Sequence, residues 1–251
     1  MQNPITRVPL TAAGMPTPRG SGLSHRGLVR ERNEDAILID PEGVLWAVAD
    51  GMGGYGNGDV ASDLVTEFLA DLVLESAPAE AVVAQLSRAN AAIVARAAEI
   101  GAGIMGATVV VMVIERATAH IIWAGDSRAY LLRDGRLRLL TRDHTVVQGL
   151  IDSGVLDGNG SAPHPEAHVV TRAVGGTDEL EPELTTVLLT PGDRILLCSD
   201  GLTACVADQE ICDLMGGGQT PADSCRALIG KALENGAPDN VSAISVFFAE
   251  S

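Results

Sequence analysis

Aromatic residues are scarce in this 251-residue chain: two Trp, two Tyr and three Phe, 3% of the sequence. Hydrophobic residues nonetheless make up 46%, so a core is expected, built from Val, Leu, Ile and Ala. Basic residues are also few, 17 Lys and Arg against 33 Asp and Glu, for a net charge of -16. Such a charge repels phosphate backbones and anionic headgroups, which argues against nucleic-acid and membrane-surface binding. Apolar runs fall short of the roughly 20 residues that span a bilayer, so no membrane insertion is expected. The opening MQNPITRVPL does not have the basic-then-apolar layout of a signal peptide. Cys198, Cys205, Cys212 and Cys225 form no CxxC pair and have no His partner at zinc-finger spacing. They read as free thiols of a reducing compartment, and a cytoplasmic location is the expectation.

Residues 1–20 carry four prolines and no apolar period, which predicts a flexible tail. Beyond them neither a linker nor a repeat divides the sequence, so 21–251 is expected to fold as one domain. Val44–Asp50 reads as a buried strand, and 59–75 and 79–100 carry the apolar stripes of two helices. The β-branched runs 107–114 and 119–124 predict a strand pair. Strands 130–133 and 137–140 flank Asp134-Gly135, a hairpin signal. Further strands are expected at 194–199 and 241–248, with a helix near 222–234. Strands arriving in hairpins fit antiparallel sheets covered by helices, an α+β fold.

Chemistry is suggested by where the acids sit. Asp50 is expected to close a strand before Gly51-Met52-Gly53-Gly54, and Asp200 to close another before Gly201. Asp126 would close a third, Asp239 would open a fourth, and Glu34-Asp35 precede the apolar 36–39. Any one Asp-Gly is equally a simple turn. Several such carboxylates converging without His or Cys would make an oxygen-only site for a hard cation such as Mg²⁺ or Mn²⁺. Competing motifs fail: GMGGYGNG is not followed by GK[ST] and lacks the GxGxxG order, and 157–160 lacks a full calcium-ligand set. Ser199 lies in CSDG, not in GxSxG.

The ordered blocks RGLVRERNED (26–35), VADGMGG (48–54), GATVVV (106–111), WAGDSRAYLLRDG (123–135), LTRDHT (140–145), VTRAVGG (170–176), GDRILLCSDGLT (192–203) and PDNVSAI (238–244) resemble the metal-dependent Ser/Thr protein phosphatases, the PPM or type-2C family, in its bacterial branch. The resemblance covers nearly everything from residue 22 onward. It implies a four-layer α-β-β-α sandwich, two antiparallel sheets flanked by helices. By the same resemblance Asp50 bridges two Mn²⁺ or Mg²⁺ ions, the Gly51 carbonyl binds one, and Asp200 and Asp239 bind the other. Glu34 and Asp35 hold metal waters or support the ligands, and Arg30 grips the substrate phosphate. A metal-activated water would then hydrolyse phosphothreonine or phosphoserine in proteins phosphorylated by a bacterial Ser/Thr kinase. The segment DHT-x-VQ-x-LI-x-SG also resembles the phosphatases of type VI secretion, and a monomer is expected.

Two departures from the family pattern stand out. Met52 occupies the place of a His proposed as general acid in animal members. Ala204 replaces an acid near a third metal, which Asp126 and Asp200 would then hold more weakly. His144 is either an acid or a structural brace. Residues 145–171 match a mobile flap, though a helix followed by a surface loop fits equally. The alternative to an enzyme is a pseudo-phosphatase that binds phosphoproteins or regulators, which would be expected to lack Asp50, Asp200 or Asp239.

Overall fold

The computed structural model describes residues 16–40, 43–53, 57–72, 78–103, 105–156, 166 and 169–249. Among these residues ten strands form two five-stranded sheets. One holds β1 (Thr17–His25), β10 (Val241–Ala249), β9 (Arg194–Cys198), β6 (Arg128–Arg133) and β7 (Arg136–Leu139), in that spatial order. The other holds β2 (Asp35–Ile39), β3 (Leu45–Gly53), β4 (Met105–Glu115), β5 (Thr118–Ala124) and β8 (Glu183–Leu188). Every pairing is antiparallel.

Side-chain alternation along the strands divides the core into three layers. On β4, Val110, Met112 and Ile114 face the other sheet, where Ile195, Leu197, Ile244 and Val246 meet them. Val109, Val111 and Val113 point the opposite way, onto α1 (Gly58–Ala70) and α2 (Pro78–Ile100). Ala61, Val65 and Leu69 of α1, spaced four apart, are fully or almost fully buried there. Leu196, Cys198 and Ala243 pack outward from the first sheet onto α5 (Asp208–Gly217) and α6 (Pro221–Glu234). The result is the four-layer α-β-β-α sandwich. Its inter-sheet layer holds Trp46, Trp123 and Phe248 among Val, Ile, Leu and Ala.

The hairpin at Asp134-Gly135 forms as expected between β6 and β7. Both residues have positive φ, 51° and 71°, as a type I′ turn requires. Three expectations need correction. The strand through Asp50 does not end there, because the ladder to β4 runs on to Gly53 opposite Met105. The expected flexible tail overlaps β1, which begins at Thr17 and pairs along its length with β10; the tail's residues 1–15 lie outside the described residues. The helix expected over 59–75 ends at Ala70, and 73–77 lie outside the described residues.

Candidate active site

Three of the expected acids reach the same end of the sandwich from three elements. Asp50 comes from β3, Asp200 from the first turn of α4 (Asp200–Thr203) just after β9, and Asp239 from the lead into β10. Asp126 joins them from the turn between β5 and β6. They line one cavity of about 560 Å³ together with Arg30, Glu34, Gly51, Met52 and Ala204. Asp35 stands behind the cavity wall, directly opposite Asp50 in the β2–β3 ladder.

Backbone packing fixes this geometry. Gly51 and Gly58 lie backbone to backbone, so a Cβ on Gly51 would collide with the Gly58 carbonyl and with Glu34 O. The Glu34 carbonyl accepts from Gly51 N at 3.0 Å and from the Ser62 hydroxyl at 2.6 Å, tying the 26–34 loop to β3 and α1. Asn240 holds the same loop from the other side. Its Oδ1 accepts from Glu34 N at 2.8 Å, and its Nδ2 donates to the Arg26 and Arg32 carbonyls at 2.9 and 2.8 Å.

Electrostatically the cavity is heavily acidic. Burial, followed by repulsion from Asp35, Asp200, Asp126 and Asp239, drives the Asp50 pKa well above the usual carboxylate range. Burial and then Asp200 and Asp143 push Asp126 up to about 7. Asp35 also rises to about 7 through burial, against the opposing pull of its hydrogen bonds. Its Oδ2 accepts from the Ser242 hydroxyl at 2.6 Å and the Ser199 hydroxyl at 2.8 Å. Its Oδ1 is buried without a hydrogen-bond partner among the described residues. Arg30 is the guanidinium in the cavity lining; it donates two hydrogen bonds to Asp239, at 2.8 and 2.7 Å, and keeps more than half of its side chain exposed.

An all-oxygen donor set, several repelling carboxylates and an orphaned buried oxygen suit a hard divalent cation. Among the described residues, no three His, Cys, Asp or Glu side chains yet form a group able to hold a metal. As they stand, Asp239 is turned onto Arg30 and Asp35 onto its serines. The donor chemistry therefore fits a metal, while the ligands are not drawn together around one.

The two open sequence readings resolve in different ways. His144 is buried outside the cavity lining and stacks on Trp123 with ring centroids 6.1 Å apart. Its Nδ1 accepts from Gly125 N at 3.0 Å, and Nε2 lies 3.2 Å from Arg172 and from Glu183. Burial and then Arg172 lower its pKa. It braces the turn that carries Asp126 and is not placed to protonate a leaving group. Within 145–171, α3 (Val146–Asp152) forms with Thr145 as its N-cap, and Val170, which bridges to Thr145, reaches the cavity lining. Residues 157–165, 167 and 168 lie outside the described residues.

Asn240, Ser62 and the serines around Asp35 had no assigned role in the sequence reading. Ser and Asn read as turn formers in sequence, and their partners here lie as many as 218 residues away. For Ser199, Ser242 and Asn240 the one available signal was their place inside the matched blocks CSDG and PDNVS; Ser62 lies outside every matched block.

Solved structures share this fold. The solved structure of PppA, a key regulatory component of T6SS in Pseudomonas aeruginosa, superposes with a TM-score of 0.86 at 39% identity, covering 94% of this chain and 99% of that one. The catalytic domain of the serine/threonine protein phosphatase PstP, solved in complex with two manganese ions, gives a TM-score of 0.84 at 38% identity, covering 93% and 99%. In sequence, PstP of Mycobacterium tuberculosis is 40% identical over 233 residues, 90% of this chain; the chain spans only 44% of that protein's length. A family model described as protein phosphatase 2C matches residues 19–224, from the third residue of β1 into α6. With its sandwich, its acid-lined cavity and its sequence all agreeing, the chain belongs to the protein phosphatase 2C family.

Proposed function

We propose that the chain is a metal-dependent phosphatase that hydrolyses phosphoserine and phosphothreonine in proteins. The observation that carries this reading is the cavity in which Asp50, Asp126, Asp200, Asp239 and Glu34 surround space facing a single guanidinium. Asp50, Asp200, Asp239 and the Gly51 carbonyl are proposed to hold two Mn²⁺ or Mg²⁺ ions, with Glu34 and Asp35 acting through waters and Asp126 serving a weaker third ion. A pair of such ions, when bound, supplies Lewis acidity and activates water for attack on phosphorus.

The chain's own residues do the rest. Arg30 offers two N–H groups, now on Asp239, to a phosphate dianion, because more than half of its side chain is open to solvent. The Gly51–Gly58 contact and the Asn240 hydrogen bonds keep β3 and the 26–34 loop in register around the substrate. Neither Met52, which has no proton to give, nor His144, whose Nδ1 is occupied by Gly125 N–H, supplies the leaving-group proton. A pseudo-phosphatase would be expected to have lost Asp50, Asp200 or Asp239; all three line the cavity.

The finer reading is a monomer in the cytoplasm that opposes a bacterial Ser/Thr kinase, in type VI secretion control. The likeness to PppA supports the last point, and the four free cysteines support the compartment. The test is hydrolysis of a phosphothreonine peptide by the metal-free chain. Activity is expected only with added Mn²⁺ or Mg²⁺, with Asp50→Asn and Asp239→Asn slower by orders of magnitude. Full turnover after exhaustive chelation would refute the metal mechanism.

A further inference from the structure

We propose that Ser199 and Ser242 are positioning residues for the metal centre: they hold Asp35 through Oδ2 and leave Oδ1 as its one uncommitted oxygen, available to the waters of a bound metal. The inference rests on the metal-site reading above and concerns residues that reading leaves without a role.

The argument is proton accounting. A serine hydroxyl carries one proton, and an ionised carboxylate only accepts. Ser199 Oγ lies 2.8 Å and Ser242 Oγ 2.6 Å from the same oxygen, Asp35 Oδ2, so each spends its proton there. Ser24 Oγ is 2.8 Å from Ser242 Oγ. Ser242 Oγ is the donor-placed atom in that contact as well, and its shorter distance to Asp35 Oδ2 directs the proton there. Asn33 Nδ2 in turn donates to Ser24 Oγ at 2.7 Å, and Ser242 N donates to Ser199 Oγ at 2.9 Å. Two buried hydroxyls, each held by a further hydrogen bond, thus converge on Oδ2.

Asp35 belongs to the sheet of β2 and β3, whereas Ser24 and Ser242 lie on β1 and β10 of the opposite sheet and Ser199 just past the end of β9. The hydroxyls therefore clamp one sheet's carboxylate from the other sheet. Ser199 and Ser242 are both fully buried, so no solvent competes for Oδ2. Oδ1, equally buried, has no partner among the described residues. The clamp also stands next to the ligands themselves, Ser199 immediately before Asp200 and Ser242 three residues after Asp239.

The experiment is calorimetric titration of the metal-free full chain with Mn²⁺, without substrate, alongside circular dichroism and melting. Ser199→Ala and Ser242→Ala are each expected to weaken Mn²⁺ binding roughly 10-fold or more, the range typical of lost hydrogen bonds to a ligand. Ser24→Ala, one bond further back, should weaken it less. Ser245→Ala, another buried serine on β10 but outside the chain of hydroxyls, should leave it unchanged. If either alanine form fails to fold, Ser199→Cys and Ser242→Cys replace it, keeping the bulk while exchanging O–H for a weak S–H donor. Wild-type affinity in the folded Ser199 and Ser242 variants, or an equal loss in Ser245→Ala, would overturn the positioning role alone. An unaltered chain that binds no Mn²⁺ would overturn the site reading together with it.

Discussion

Replacing Asn240 is the sharpest probe of how the cavity is held, because one side chain satisfies three backbone groups of a loop more than 200 residues away. Asn240→Ala leaves Glu34 N–H and the Arg26 and Arg32 carbonyls without those partners, at a position only 6% exposed. At about 1 kcal/mol net for each hydrogen bond, the loss comes to about 3 kcal/mol. For a chain of this size that corresponds to a fall in melting temperature of about 6–12 °C. Asn240→Asp separates packing from polarity. It keeps the volume and the acceptor for Glu34 N–H, but sets a buried anionic oxygen against two carbonyls in place of the amide donor. The aspartate variant should therefore be less stable than the alanine variant at pH 8. It should recover part of the difference at pH 5, where a proton on the new carboxyl restores one donor. The assay is thermal melting in EDTA, so that bound metal does not mask the difference. An alanine variant melting within about 2 °C of the parent, against the shift expected from three lost hydrogen bonds, would refute the claim that Asn240 anchors the loop.

Stability of the metal-free chain should fall as pH rises from 5 to 8. Asp35 and Asp126, held near 7 in the fold, keep protons that the unfolded chain releases around pH 4, so their contribution is lost as pH passes through about 7. Asp50 acts in the same sense and His144, with its lowered pKa, in the opposite one; three groups against one set the sign. Melting in EDTA across that range checks this, saturating Mn²⁺ should flatten the slope, and a melting temperature that climbs with pH in EDTA would contradict it. Ala204, which lines the cavity, should matter for a third ion. Ala204→Asp should lower the Mn²⁺ concentration giving half-maximal activity, and that gain should vanish when Asp126→Ala is added; an unchanged titration curve would show that the position does not serve the metals.

Much of the frame was readable from the sequence because its signals are local. The run 107–114 is buried on both faces, and Asp134-Gly135 turns as its residue types demand. The acids that meet in the cavity were readable too, since each sits at a boundary between an apolar run and a turn. β1 was not readable: TPRGSGLSH has no apolar alternation, and its strand form depends on the ladder to β10. β8 was equally hidden, because as an edge strand it buries Val187 while Leu184 and Leu188 stay exposed. The supports of the site, Asn240 and the serines, act through partners distant in sequence, and no local pattern distinguishes them from ordinary turn and surface residues.

The pairing of β1 with β10 has a consequence for biosynthesis. Arg30 and Asp239, joined at the cavity mouth, are separated by 209 residues, so at roughly 5–20 residues per second the ribosome adds the second about 10–40 s after the first. Until β10 emerges, β1 has no neighbour in its sheet and β9 presents an open edge. The nascent chain thus carries the guanidinium without its acidic partner, and its unpaired strand edge is exposed to the crowded cell throughout that interval. Closure waits on a long-range strand pairing, the slow kind of folding step. The acid-lined cavity, whose wall includes Asp239 and Asn240 just ahead of β10, is in this way completed only when the late strand arrives.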